Sequence, residues 1–92
     1  MATLTPEQVA TGLAETPGWL VDDGQLTQTV TRKDFRDSLL FVGAVAYLAE
    51  AANHHPDVAI AWDKVTLTLS THAKGGLTAA DFALAGQISA LS

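Results

Sequence analysis

Hydrophobic and polar positions change period several times along this chain, and each change marks an element. Val9 and Leu13 stand four apart behind Thr5-Pro6-Glu7-Gln8. There Thr5 can cap a helix, Pro6 suits its first position and Gln8 can complete a capping box. Pro17-Gly18 ends this short helix, which is expected to pack lightly. Trp19-Leu20-Val21 is a strand candidate, and Asp22-Asp23-Gly24 carries the Asp-Gly hairpin signal. From Gln25 to Thr31 the period is two, with Leu26, Gln28 and Val30 set against Gln25, Thr27 and Thr29. That alternation predicts a half-exposed antiparallel strand.

Asp34 can cap the next helix, and Asp37 in its first turn favours the dipole. Phe35, Leu39, Val42, Ala46 and Ala49 form one apolar stripe; Phe41, Val45 and Leu48 form another. A helix apolar on two sides should be covered on two sides. One stripe should meet the sheet, the other the first or third helix or a second subunit. The helix must stop near Asn53, because Pro56 disfavours helical dihedrals at His55.

Val58, Ile60 and Trp62 then alternate with Asp57, Ala59 and Ala61, and Asp63-Lys64 is expected to be a tight connection. In the clearest strand, Val65, Leu67 and Leu69 point one way and Thr66, Thr68 and Ser70 the other. His72 shares the polar parity, which places it off the core face near the strand end. Gly75-Gly76 breaks the strand. Thr78-Ala79-Ala80-Asp81 opens a last helix as a capping box, with Leu84, Ile88 and Leu91 as its buried stripe. The order helix–strand–strand–helix–strand–strand–helix predicts an α+β fold: a four-stranded antiparallel sheet with helices on one face. No linker or repeat interrupts it, so residues 1–92 read as a single domain.

The bulk numbers narrow the function. A chain of 92 residues buries only about 60–65% of its unfolded surface, yet 48% of its residues are hydrophobic. Part of that surplus is expected in a subunit interface. No cysteine is present, which excludes disulfides, thiolate metal sites and cysteine nucleophiles. The N-terminus has no signal-peptide pattern, and the longest apolar run, from Leu39 to Ala49, is too short for a membrane span. The expectation is a soluble cytoplasmic protein. A net charge of −5 argues against nucleic-acid binding, and the cluster Arg32, Lys33 and Arg36 is diluted by Asp34 and Asp37.

All three histidines, His54, His55 and His72, lie between Glu50 and His72. Glu50 and His54 are four apart, so the carboxylate can orient the imidazole. His54 and His55 point about 100° apart on a helix and should take different roles, one facing a pocket and the other a substrate edge or the backbone. His72 arrives from another element, so two imidazoles can face each other across a ligand. A reference pKa near 6.5 suits histidine to acid–base work at neutral pH. Taken alone, Glu50 also reads as a solvated charge and Asp81 as a helix cap. Three histidines and a carboxylate match zinc's preferences, but the spacing is no known metal signature, so no metal is expected. No nucleophile elbow supports a Ser-His-Asp triad.

The composite Glu50-x-x-x-His54-His55-Pro56, Trp62, Lys64-Val65, Leu69-Ser70-Thr71-His72, Gly76-Leu77-Thr78 and Asp81 closely resembles the pterin-4a-carbinolamine dehydratases. The resemblance extends upstream through Ala49-Glu50, Val45-Ala46 and Asp34-Phe35, and covers roughly residues 19 to 91. It implies the same α+β fold, a homodimer or homotetramer, and dehydration of 4a-hydroxytetrahydropterin to quinonoid dihydropterin in pterin recycling. No cofactor is implied. By the resemblance, His54 and His72 form the acid–base pair, His55 binds and orients the pterin, and Glu50 and Asp81 support them. The backbone around Asn53, His54, His55 and Pro56, and around Ser70, Thr71, His72 and Ala73, would line the heterocycle. The chain departs at Val58, where many members carry tryptophan, and at Trp62, where tyrosine is common; Val58 alters one apolar wall. The alternative is a non-catalytic module on the same fold that binds pterin or stabilises another protein's oligomer.

Overall fold

The computed structural model describes residues 2–71 and 74–91. The element order is α1 (Pro6–Glu15), β1 (Leu20–Asp22), β2 (Gln25–Thr31), α2 (Phe35–Ala52), β3 (Asp57–Ala61), β4 (Lys64–Leu69) and α3 (Ala79–Ser89). The four strands form one antiparallel sheet in the order β1-β2-β4-β3, the predicted α+β arrangement. Strand β4 is central, and its alternation has the expected result: Val65, Leu67 and Leu69 are buried, while Thr66, Thr68 and Ser70 are only partly covered. On the outer face the hydroxyls of Thr29 and Thr66 meet at 3.0 Å across the strand pair.

Both hairpins turn through two residues. Asp22 pairs with Gln25, leaving Asp23 (φ 53°) and Gly24 (φ 73°) as the turn. Positive φ at both positions suits the right-handed twist of the strands. Ala61 pairs with Lys64, so the second connection is Trp62-Asp63 rather than Asp63-Lys64. Trp62 adopts φ 56° there and is exposed instead of continuing the apolar face of β3. The hydroxyl of Ser38, buried in α2, lies 2.9 Å from the Trp62 carbonyl oxygen and holds this turn against the helix.

The core gathers Leu26, Val65, Leu67 and Leu69 from the sheet, Phe41, Val45 and Ala49 from α2, and Leu84, Ala85 and Ile88 from α3. Only one stripe of α2 is therefore buried within the chain; Phe35, Leu39, Leu40 and Tyr47 are exposed. On α3, Ala85 joins the core and Leu91 does not, because the helix ends at Ser89 and the three-residue step from Ile88 is lost. Trp19 is buried before β1, and its indole N–H donates to the Ser89 hydroxyl at 3.0 Å. Helix α1 has the predicted capping box: Thr5 N–H donates to Gln8 Oε1 at 2.9 Å, and Gln8 N–H to Thr5 Oγ1 at 3.2 Å. It buries no residue completely and rests on the rest through Val9 and Leu13.

Candidate active site

The C-terminus of α2 decides where the tandem histidines go. Asn53 is left-handed (φ 49°, ψ 43°), and its N–H donates to the Glu50 carbonyl at 3.2 Å. The His54 N–H donates to the Ala49 carbonyl at 3.1 Å. This pair of bonds is a Schellman closure, which asparagine tolerates because its short polar side chain visits the left-handed region at low cost. The reversal takes His54 off the helical spiral, so the four-residue spacing from Glu50 no longer brings the two together. Glu50 meets His55 instead, through Oε2 and Nε2, on the surface; their side chains are 75% and 55% exposed.

His54 turns inward. Its side chain is 16% exposed, and Nε2 lies 2.6 Å from Oδ1 of the fully buried Asp81. Asp81 is the third residue of α3, where the helix dipole favours a carboxylate. Its other oxygen, Oδ2, accepts the Thr78 N–H at 2.9 Å and the Thr71 hydroxyl at 2.8 Å. Asp81 is thus both the predicted cap and the partner of a histidine from another element. Burying a carboxylate is tolerable when its oxygens are hydrogen-bonded, and here they meet Thr71, Thr78 and His54. Among the described residues no buried side-chain nitrogen or oxygen lacks a partner.

Thr71 joins this cluster to the sheet. Its N–H donates to the Gly76 carbonyl at 3.3 Å, and its carbonyl accepts the N–H groups of Lys74 (2.9 Å) and Gly75 (3.1 Å). Gly75 has φ 71°, the left-handed conformation that lets the chain fold back on Thr71. The Thr71 hydroxyl donates to Asp81 and also contacts the Thr78 hydroxyl at 2.8 Å. The polar atoms of Thr71 are therefore engaged within the protein, which limits what its side chain can offer a ligand. Reading the sequence missed Thr78 as more than a cap. Its contact with Thr71 spans a loop and leaves no periodic trace.

Of the remaining candidates, Asn53 is exposed at the helix end and Pro56 is half-buried. Val58 is exposed on the edge strand β3. Ser70 and Thr71 line a cavity of about 620 Å³ together with Val21, Gln25, Gly76 and Leu77. Gln25 Nε2 donates to the Ser70 hydroxyl at 3.3 Å on that wall. His72 and Ala73 lie outside the described residues. No group of three or more potential metal ligands is gathered among the described residues. No helix among them is long and apolar enough to cross a membrane.

A histidine held by a buried carboxylate, at the meeting of a helix C-terminus, a strand end and a helix N-terminus, is equipped to exchange a proton with a ligand. Comparison with known proteins gives this arrangement a context. The family model described as pterin 4 alpha carbinolamine dehydratase matches residues 2–91. A protein of Roseiflexus castenholzii, provisionally named a pterin-4-alpha-carbinolamine dehydratase, is 46% identical over 87 residues, covering 95% of this chain and 94% of the relative. One of Nocardia farcinica with the same provisional name is 45% identical over 89 residues, covering 97% and 94%. The crystal structure of a transcriptional coactivator/pterin dehydratase from Brucella melitensis superposes with a TM-score of 0.92 at 31% identity, covering 97% of each chain. A pterin dehydratase-like protein described as a RuBisCO assembly factor in the alpha-carboxysome shares the fold at a TM-score of 0.64 and 23% identity, covering 79% of this chain and 84% of that one. On the full-length match to the family and to these relatives, the chain belongs to the pterin 4 alpha carbinolamine dehydratase family.

Proposed function

We propose that this protein is a hydro-lyase that converts 4a-hydroxytetrahydropterin to quinonoid dihydropterin and water. In that reaction the C4a–O bond breaks, the departing oxygen takes up a proton, and a ring nitrogen gives one up. Oxidation state is unchanged overall, so the chemistry calls for one proton donor and one acceptor, each typically worth about 10²–10⁴-fold. His54 and His72 take these two roles, and His55 orients the pterin. Asp81 supports His54 from the buried side, and Glu50 supports His55 from the surface. The backbone of Asn53 to Pro56 and of Ser70 to Ala73 lines the flat ring. The observation that carries the reading is the 2.6 Å contact between His54 and the buried Asp81, in a chain of this family.

The test is stopped-flow loss of synthetic carbinolamine. Wild type should accelerate it, and His54→Ala and His72→Ala should each slow it about 10²-fold or more. No acceleration by wild type, or unchanged rates in both variants, overturns the reading.

The exposed apolar residues Phe35, Leu39, Leu40 and Tyr47 of α2 favour a second reading alongside the first, in which this helix face seats another subunit or a protein partner. A homodimer or homotetramer is the expected form. Light scattering should give a multiple of the chain mass for wild type and a smaller species for Leu39→Asp; a monomeric wild type removes self-association.

A further inference from the structure

Thr78 is fully buried at the start of α3, and its hydroxyl lies 2.8 Å from that of Thr71. The Thr71 hydroxyl has one proton, and it is directed to Asp81 Oδ2 at 2.8 Å. A carboxylate only accepts, so the Thr78 hydroxyl must be the donor to Thr71. The protons then run one way: Thr78 to Thr71, Thr71 to Asp81. With Oδ2 occupied by Thr71 and by the Thr78 N–H, Oδ1 is left to accept from His54 Nε2.

We infer that Thr78, acting through Thr71 and Asp81, is a positioning residue that holds His54 as the Nε2–H tautomer and leaves Nδ1 to exchange the proton. The assignment of Nδ1 rests on the acid–base role proposed for His54; the tautomer itself does not. The bonded hydrogen of an imidazole fixes which ring nitrogen keeps a lone pair. Here that hydrogen is fixed by Oδ1 of the Asp81 carboxylate, and the two threonines hold that carboxylate in its orientation through Oδ2. The Thr78 hydroxyl thus serves twice, in the capping box at the start of α3 and as the donor to Thr71.

The test is long-range ¹H–¹⁵N correlation of the histidine rings in the full-length protein above the imidazole titration range, with steady-state kinetics on carbinolamine. Wild type should show His54 as the Nε2–H tautomer. Thr78→Val should mix the tautomers and lower kcat about tenfold, a fraction of the ~10²–10⁴ of a positioned acid–base group, with KM unchanged. Thr78→Ser should retain both wild-type properties. If Thr78→Val does not fold, Thr71→Val cuts the same chain nearer Asp81 and is expected to act likewise. An Nδ1–H tautomer in wild type overturns the inference. So does a Thr78→Val protein with unaltered tautomer and kcat, or a Thr78→Ser protein as impaired as Thr78→Val. Absence of dehydratase activity in wild type would remove the proposed reaction, while the spectrum would still decide the tautomer.

Discussion

His54 and Asp81 meet at 2.6 Å although 27 positions separate them along the chain. Neither residue could reach the other from its own element. The Schellman closure at Asn53 turns the imidazole inward, and the first turn of α3 presents the carboxylate from the opposite side. The contact is therefore a property of the folded chain, and it sets which substitutions should matter.

Asp81→Asn should impair both stability and turnover. An amide places a donor where three donors already converge, so either one of them loses its acceptor or His54 must give up its Nε2 hydrogen. Each buried polar group stranded in this way costs about 1–3 kcal/mol, and a domain of this size loses about 4–8 °C in Tm per kcal/mol. Calorimetry should show that loss, and kcat should fall about 10²-fold with the proton-transfer step.

Glu50→Gln should behave quite differently. The Glu50–His55 pair is largely in solvent, and exposed pairs contribute about 0–1 kcal/mol. Thermal melts of Glu50→Gln and wild type should nearly coincide. A loss of stability matching that of Asp81→Asn would refute the contrast drawn here between the two carboxylates.

Asn53 is the hinge of the arrangement. Asn53→Gly should preserve fold and activity, since glycine adopts φ 49° freely. Asn53→Val should cost about 1–2 kcal/mol, the penalty for a side chain forced into the left-handed region. It should also lower kcat, because the direction of His54 depends on that turn. Denaturant midpoints together with kcat distinguish the two variants.

Gly12 lies against α3, and a Cβ built there would stand 2.6 Å from Cε1 of Phe82. Gly12→Ala should destabilise by about 1–3 kcal/mol through overpacking. Phe82→Leu should recover part of that in the double variant. A double-mutant cycle with no coupling would mean that the ring moves aside freely.

Acid should weaken the entrance to α2. The Lys33 N–H, followed by the Arg32 guanidinium, holds the Asp37 carboxyl below its ordinary value. A folded-state value below the unfolded one stabilises at neutral pH and above, and the contribution disappears as pH falls through the carboxylate range. Asp37→Asn should accordingly flatten the acid limb of a stability–pH curve while leaving the alkaline limb unchanged.

Much of this was legible in the chain because it is local. Thr5-Pro6-Glu7-Gln8, Asp23-Gly24 and the Val65-Leu67-Leu69 alternation each specify their structure within a few residues. The stop of α2 before Pro56 was equally plain. The pairing of carboxylates with histidines was not. Four-residue spacing favoured Glu50 with His54, but that rule holds only while the helix continues, and α2 ends at Ala52. Asp81 looked like a cap because capping is local, whereas its contact with His54 depends on how α2 packs on α3. The exposure of Phe35 and Leu39 follows from rotation of α2 about its axis, which periodicity alone leaves free.

The β3–β4 hairpin carries a further implication. Asp57 faces Thr68, so the segment leading out of His55-Pro56 runs beside the segment leading into Thr71, with their alignment set by the two-residue turn at Trp62-Asp63. One extra residue in that turn would slide one rail past the other by about 3.3 Å and invert which side each residue presents. The tandem histidines and the threonine that steadies Asp81 would then fall out of step. The spacing of the working groups is thus gauged at the opposite end of the ribbon, by a bend that never touches them.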